Sequence, residues 1–498
     1  MRTRWCSLEW IFLAVAALLL IYILFVPPMV GLANSGDFAR MMDWFGLSYR
    51  GNTGPETQFL FVNRVFAWHP KVEPHYPSSA LLFLAAALPA SPVLVGRGLF
   101  DIRLLGVAYV CGFLLALFLL TRYARTLSLR SQLVLYAVTA LVFLDVGYVA
   151  YFNSFYAEPG SLIFLTATLA CAFIAVSRDR PSGRAWIPVA GFFIASFLFA
   201  SAKVQNAVSA LPLAFIAYGL VRIAGRSREA RPGKRSLVAL ALAVLLAVAF
   251  LGYYGMYVKF SRKIHKEVIY LNVFHEILAR SYSPEDDLRE MGLDPSLAPL
   301  AGTTLASPGV PPGLVDVVAS KVGYRTILKY YMRHPDRFIE LAEDAAENAF
   351  LMRPTYLGNY EKSFVLRDGP RPVYSVMDMP SEYRTGKFAL WSSLKEAFPK
   401  SLWLVFSFLS VNILAIAAKW LRFDRAPGDR MITKLHGALV VMAGLQFLIV
   451  ILGEGLYEIA KHLFLFNLLC DVCLVFLIMY AVNIGAILPH RAVGKQLE

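Results

Sequence analysis

Apolar residues run along the chain in long blocks separated by short polar connections, a pattern that predicts a bundle of membrane helices. A spanning helix needs about 20 largely apolar residues. Blocks of that kind predict spans at 8–27, 102–121, 131–150, 159–177, 186–202, 207–222, 237–257, 401–421, 435–453 and 463–486. One more apolar block, 78–95, is interrupted by Pro89 and Pro92. It reads as a surface or re-entrant helix, because counting it as a span would reverse the side of every later connection. Val26-Pro27-Pro28-Met29 offers no small-residue cleavage site after the first block, so the first helix reads as uncleaved.

The expected fold class is an all-α polytopic membrane protein of about ten transmembrane helices. Amphipathic surface helices occupy the first outer loop, and a mostly helical outer segment covers 259–400. Three parts follow: a membrane module at 1–257 with its outer loop at 30–101, an extracytoplasmic domain or lid at 258–400, and a C-terminal three-helix module at 401–498. In the second part, Pro335 and the apolar spacing of the residues after it predict a helix.

Charge sets the expected orientation. Arg122, Arg125 and Arg130 lie in one connection, Arg178, Arg180 and Arg184 in another, and a cluster from Arg222 to Arg235 in a third. Arg422, Arg425, Arg430 and Lys434 fill a fourth. Cytoplasmic loops carry such an excess, so both termini read as cytoplasmic and the alternate connections as outer. Composition agrees: 58% of the 498 residues are hydrophobic and 16% charged, which excludes an ordinary soluble enzyme. The net charge of +14 is then a topology signal and not a nucleic-acid footprint. Cys6, Cys111, Cys171, Cys470 and Cys473 lie in or beside apolar blocks and suggest neither a disulfide framework nor a metal centre.

The few charges on the outer side are the chemical candidates. Asn34-Ser35-Gly36-Asp37-Phe38-Ala39-Arg40 opens the first outer loop, where Asn34 or Ser35 can cap a short helix. Phe38, Met41, Met42 and Phe45 share a face predicted to lie on the membrane surface, while Asp37 and Arg40 stand three residues apart. His75 and Tyr76 precede the broken apolar block. Asn153, Tyr156 and Glu158 mark the next outer turn, and Lys203, Gln205 and Asn206 the one after. Glu454, Glu458 and Lys461 recur at helical spacing, with His462 four residues after Glu458. Polar groups at helix ends in a membrane are costly unless they face a cavity or a partner. A common outer cavity that contains both Asp37 and Lys461 satisfies all of them.

The order of an early acidic residue, a Pro-containing turn, a surface helix and an Asp101-Ile-Arg103-Leu start to the second span resembles the GT-C class of membrane glycosyltransferases. The segments at Tyr151–Pro159, Lys203–Asn206 and Gly453–Asn467 look closer to bacterial glycan-biosynthesis hexose transferases of the WsfD type, with a looser likeness at Tyr356–Tyr360. The resemblance implies a polyprenyl-phosphate hexose as donor and an outer glycan or lipid-linked glycan as acceptor, in a bacterial cytoplasmic membrane.

Sugar transfer needs a carboxylate to take the acceptor hydroxyl's proton, and Asp37 is the expected base with Glu158 the runner-up. Arg40, Lys203, Lys461 and His462 are the expected donor-phosphate ligands. Asn34, His75, Tyr76, Asn153, Tyr156, Gln205, Asn206, Glu454 and Glu458 are the expected substrate-binding residues. One base and a direct displacement imply inversion. No cofactor is expected, and a divalent metal is not favoured, because Asp37 and Asp43 are six residues apart with no adjacent acidic pair. Two other functions fit the composition. One is a polysaccharide polymerase or ligase that uses a diphosphate-linked glycan through Arg325, Arg333, Arg337 and Arg353. The other is a lipid or solute transporter, for which the chain shows no internal repeat.

Overall fold

In a computed structural model, the structure describes residues 5–51, 55–69, 71–73, 75, 77–177, 186–224, 240, 250–256, 258–259, 261–305, 307–361, 383–422 and 427–482. The chain is mostly helical. Six helices among the described residues are long and apolar enough to cross a membrane: Ile102–Ala124, Glu158–Ser177, Val204–Ala224, Leu402–Leu421, Pro427–Gly453 and Phe464–Val482. A seventh span results if the bent pair Leu129–Phe143 and Val146–Asn153 counts as one. Leu8–Leu24, Leu81–Leu94 and Trp186–Ala200 are shorter apolar helices. Most of the expected 237–257 span lies outside the described residues.

Local chemistry sets several of these boundaries. Asp101 starts the Ile102–Ala124 helix by accepting from the Arg103 N–H at 2.9 Å, and Ser128 caps the next helix at the Ser131 N–H. Asp145 breaks the expected 131–150 span. Its side chain accepts from the Gly147 N–H at 2.7 Å and so restarts the helix after a 52° bend. The other Asp145 oxygen accepts from the backbone of Trp391 and Ser392, which anchors the Leu390–Glu396 helix beneath the break.

Glu158–Ser177 packs against Ile102–Ala124 and Trp186–Ala200 and is the most enclosed of the six long helices. Pro427–Glu454 and Phe464–Val482 pair beside it. Glu9, buried in the first helix, pairs with Arg125 at the far end of Ile102–Ala124, so Arg125 lies opposite the start of that helix at Asp101. A buried pair, Lys395 with Asp471 at 3.0 Å, is completed by Tyr148 and Trp391, which both donate to Asp471.

The all-α expectation needs one correction. The first connecting segment holds a small antiparallel sheet of Leu47–Ser48, Val65–Trp68 and Leu99–Asp101, with Phe66 opposite Phe100. Strands this short escape a search for long apolar runs. Leu81–Leu94, by contrast, is the broken helix that Pro89 and Pro92 predict.

The described residues of the second segment are mostly helical, as expected, including Pro335–Ala346. It is stitched to the first segment by backbone bonds from Gly31 to Asn359, Ala33 to Gly358 and Val62 to Tyr360. The fit is tight at Gly358, where a Cβ would stand 1.7 Å from the Leu60 carbonyl oxygen. Gly358→Ala is therefore expected to cost about 1–3 kcal/mol and to lower the melting temperature in detergent. An unchanged melting temperature would show that the two segments do not depend on this approach.

Candidate functional site

Asp37 reaches its position through a turn that Asn34 fixes. Asn34 Oδ1 accepts from the N–H groups of Gly36 and Phe38 at 2.7 and 3.1 Å, and its amide donates to the Tyr49 hydroxyl at 2.8 Å. Phe38, Met41 and Met42 are buried within the protein, and Phe38 packs edge-on against Phe155 and Tyr156. The predicted membrane-surface stripe is thus corrected. Helical spacing marks an apolar face but not what covers it.

The Asp37 carboxylate bridges two cations. Oδ1 lies 3.0 Å from the Arg40 guanidinium, and Oδ2 accepts from Lys461 Nζ at 2.6 Å across a sequence separation of 424 residues. Lys461 Nζ also donates to Ser35 Oγ at 2.9 Å and to the Glu458 carboxylate. Asp37 and Lys461 therefore meet, although of the two only Asp37 lines the cleft. Burial alone would push the Asp37 carboxyl up, but Arg40 and then Lys461 hold it well below the usual carboxylate range. Burial would likewise discharge Lys461, yet Asp37 and Glu458 hold its ammonium well above the ordinary lysine value.

Asp37, Arg40, Ser78, Tyr156, Glu158 and Lys203 line a cleft of about 370 Å³. Within this lining Lys203 Nζ donates to Glu158 Oε1 at 2.8 Å. Tyr156 closes one wall, where its hydroxyl donates to the Ala33 carbonyl and accepts from the Ser35 N–H. The lining thus carries two cations, Arg40 and Lys203, each paired with a carboxylate, Asp37 and Glu158. A larger cavity of about 720 Å³ lies deeper between the helices, walled by residues such as Phe113, Leu135 and Phe476, and has no charged side chain in its lining.

Several expected site residues take other places. Lys461 is fully buried behind Asp37, so it orients the carboxylate and does not face the cleft. His462 is buried next to Gln205, with 3.0 Å between His462 Nδ1 and the Gln205 amide nitrogen. Its imidazole is pushed well below the ordinary histidine value by burial, then by Lys203 and Lys461, so it stays neutral and is a poor phosphate ligand. Asn153 donates to the carbonyls of Leu24 and Val30, which ties the first helix to the loop that bears Asp37. Asn206 donates to Ser161 and to the Phe199 carbonyl. His75 lies 3.0 Å from Asp43.

Tyr76 lies outside the described residues, as does the side chain of Glu454. Glu454, Glu458 and Lys461 do not share one helix face. The helix ends at Glu454, Gly455 turns with φ +66°, and Glu458 is itself left-handed at φ +51° before the short Ile459–His462 helix. A left-handed non-glycine residue costs about 1–2 kcal/mol, so its surroundings must hold it there.

Sequence reasoning missed Ser35 as a Lys461 ligand, Ser78 on the cleft wall and Glu276 behind the turn. The glycines flanking Glu454 were the available signal for the turn. Elsewhere, among the described residues, Asp287, Glu290 and His334 come close enough to share an ion. Their oxygens already accept from Arg337, Arg333 and His334, which makes the cluster an ion-pair network.

A family model described as the YfdI N-terminal transmembrane domain matches residues 2–495. The chain belongs to that family. The YfdI match covers both membrane modules and the segment between them, so the cleft and the turn behind it fall within the shared domain. No curated protein and no solved structure matches the chain. The family and the apolar helices make it a multi-pass membrane protein within a lipid bilayer.

Proposed function

We propose that this chain is a ten-span, GT-C-like glycosyltransferase of the bacterial cytoplasmic membrane. It moves a hexose from a polyprenyl-phosphate carrier to an outer glycan or lipid-linked acceptor, with inversion and with Asp37 as base. The observation that carries the proposal is an ionised carboxylate in a cleft flanked by Arg40 and Lys203. Arg125 lies at the opposite end of the bundle, which agrees with an outward-facing cleft.

In the proposed reaction the acceptor oxygen attacks the anomeric carbon. The bond from that carbon to the phosphate oxygen breaks, and its electron pair leaves with the phosphate. The hydroxyl proton passes to Asp37. Arg40 and Lys203 meet the leaving phosphate, which is acidic enough to depart without a proton. As Arg40 turns to the phosphate, Asp37 loses one of its two cations and becomes a stronger base when it must act. Glu158, held by Lys203 in the same lining, orients the acceptor.

The diphosphate alternative drew on four arginines. Arg333 and Arg337 are engaged by Glu290 and Asp287, Arg353 is buried against Asn359 and Thr385, and none of the four lines the cleft. Reconstituted protein given labelled polyprenyl-monophosphate and polyprenyl-diphosphate hexoses in parallel tests this choice. Transfer from the monophosphate alone is the expected result. Transfer from the diphosphate alone would replace this function with the polymerase or ligase.

A further inference from the structure

The turn that carries Lys461 is gripped from the second segment. Leu271–Ile277 forms a π-helical turn, a rare geometry often found at functional sites. From it Asn272 Nδ2 donates to the Gly453 carbonyl at 2.9 Å, and Glu276 Oε1 accepts from the Leu456 N–H at 2.9 Å. Between those two bonds lies Gly455, where a Cβ would stand 2.5 Å from Glu276 Cγ. The approach therefore needs glycine. Glu276 is buried, with His275 at 3.0 Å and Arg280 at 3.9 Å, and Arg280 in turn pairs with Asp344. Two residues beyond Leu456 comes the left-handed Glu458, whose carboxylate accepts from Lys461.

We propose that Glu276 is a positioning residue for Asp37: it fixes the 455–458 turn, the turn fixes Lys461, and Lys461 aims the Asp37 carboxylate into the cleft. This rests on Asp37 being the base, and it makes the second segment a working part of the site. Local preference alone would not hold a left-handed glutamate, whereas a buried carboxylate bonded to the adjacent backbone does.

The charged groups around Asp37 are Arg40, three residues on in the Ala39–Met42 helix, Lys461 and Glu458 from the turn, and Glu158 with Lys203 in the cleft lining; the neutral His462, Tyr156 and Tyr457 also face it. Without the Glu276 clamp, Lys461 loses its fixed place and Asp37 loses a cation. The Asp37 carboxyl then rises, and the acid limb of the transfer reaction moves up by about one pH unit or more.

Hydrogen exchange in detergent, together with pH profiles of transfer in liposomes, tests the relay. Glu276→Ala is expected to speed exchange about tenfold in two separate segments, 453–461 and 35–41, and to shift the acid limb upward. Glu276→Gln keeps the accepting oxygen and is expected to match the wild type in both readouts. Asn272→Ala removes only the second tether, gives a smaller change in the same direction, and stands in if Glu276→Ala does not fold. Faster exchange at 453–461 with 35–41 and the acid limb unmoved would overturn the relay, as would equal behaviour of the Ala and Gln variants. If the wild type transfers no hexose from either donor, the glycosyltransferase function fails, and coupled exchange between the two segments alone decides this proposal.

Discussion

Under the proposed function, Asp37→Asn is expected to remove hexose transfer while the protein still inserts and folds. General-base catalysis contributes about 10²- to 10⁴-fold, and a fall of that size in initial rate is expected in reconstituted liposomes. Asparagine has nearly the same shape and can still accept from Lys461, which keeps Glu458 as its counter-charge. Size-exclusion behaviour and melting temperature should thus stay close to wild type, so the lost rate is separable from lost fold. Near-normal turnover of the variant would mean that Asp37 does not take the acceptor's proton, and Glu158, the remaining carboxylate in the cleft lining, would become the candidate.

Lys461→Met has the largest expected effect on stability. The ammonium is fully buried between Asp37 and Glu458 and donates to both. Its removal leaves two carboxylates facing one another with Arg40 alone on the outer side of Asp37. Breaking a buried pair by deleting one partner typically costs about 3–5 kcal/mol. Adding Glu458→Gln removes one of the stranded charges and should recover part of the loss, whereas the same change in the wild-type background should destabilise. Unfolding in detergent measures all three variants. A Lys461→Met protein within about 0.5 kcal/mol of wild type would show that the buried cluster does not organise this end of the bundle.

How far the sequence foretold this arrangement depended on the range of each contact. Asp37 and Arg40 were legible because three residues of separation bring side chains together on any helical turn. The meeting of Asp37 with Lys461 followed from topology: both were assigned to the same side of the bundle, and no local spacing links them. Depth was not legible. Lys461 and His462 read as cleft cations, but whether a polar side chain at a helix end faces a cavity or lies behind it is fixed by packing with distant elements. Continuing a helical period through Gly453-Glu454-Gly455 failed because the chain turns at Gly455, where Glu276 from the second segment leaves no room for a side chain. Asp145 and Asp471 look anomalous inside apolar blocks until Trp391, Lys395 and Tyr148 arrive from elsewhere in the chain to satisfy them.

The fate of one covalent bond tests the central claim most directly. Purified protein in liposomes receives polyprenyl-phosphate hexose labelled in the sugar, together with an outer glycan acceptor, and the label is followed between lipid and glycan. The proposed function predicts that the bond between the anomeric carbon and the phosphate oxygen breaks, that the label appears on the glycan with inverted configuration, and that Asp37→Asn abolishes its appearance. Label that stays on the carrier lipid, or crosses the bilayer with the phosphoester intact, would contradict it and leave a transporter in its place.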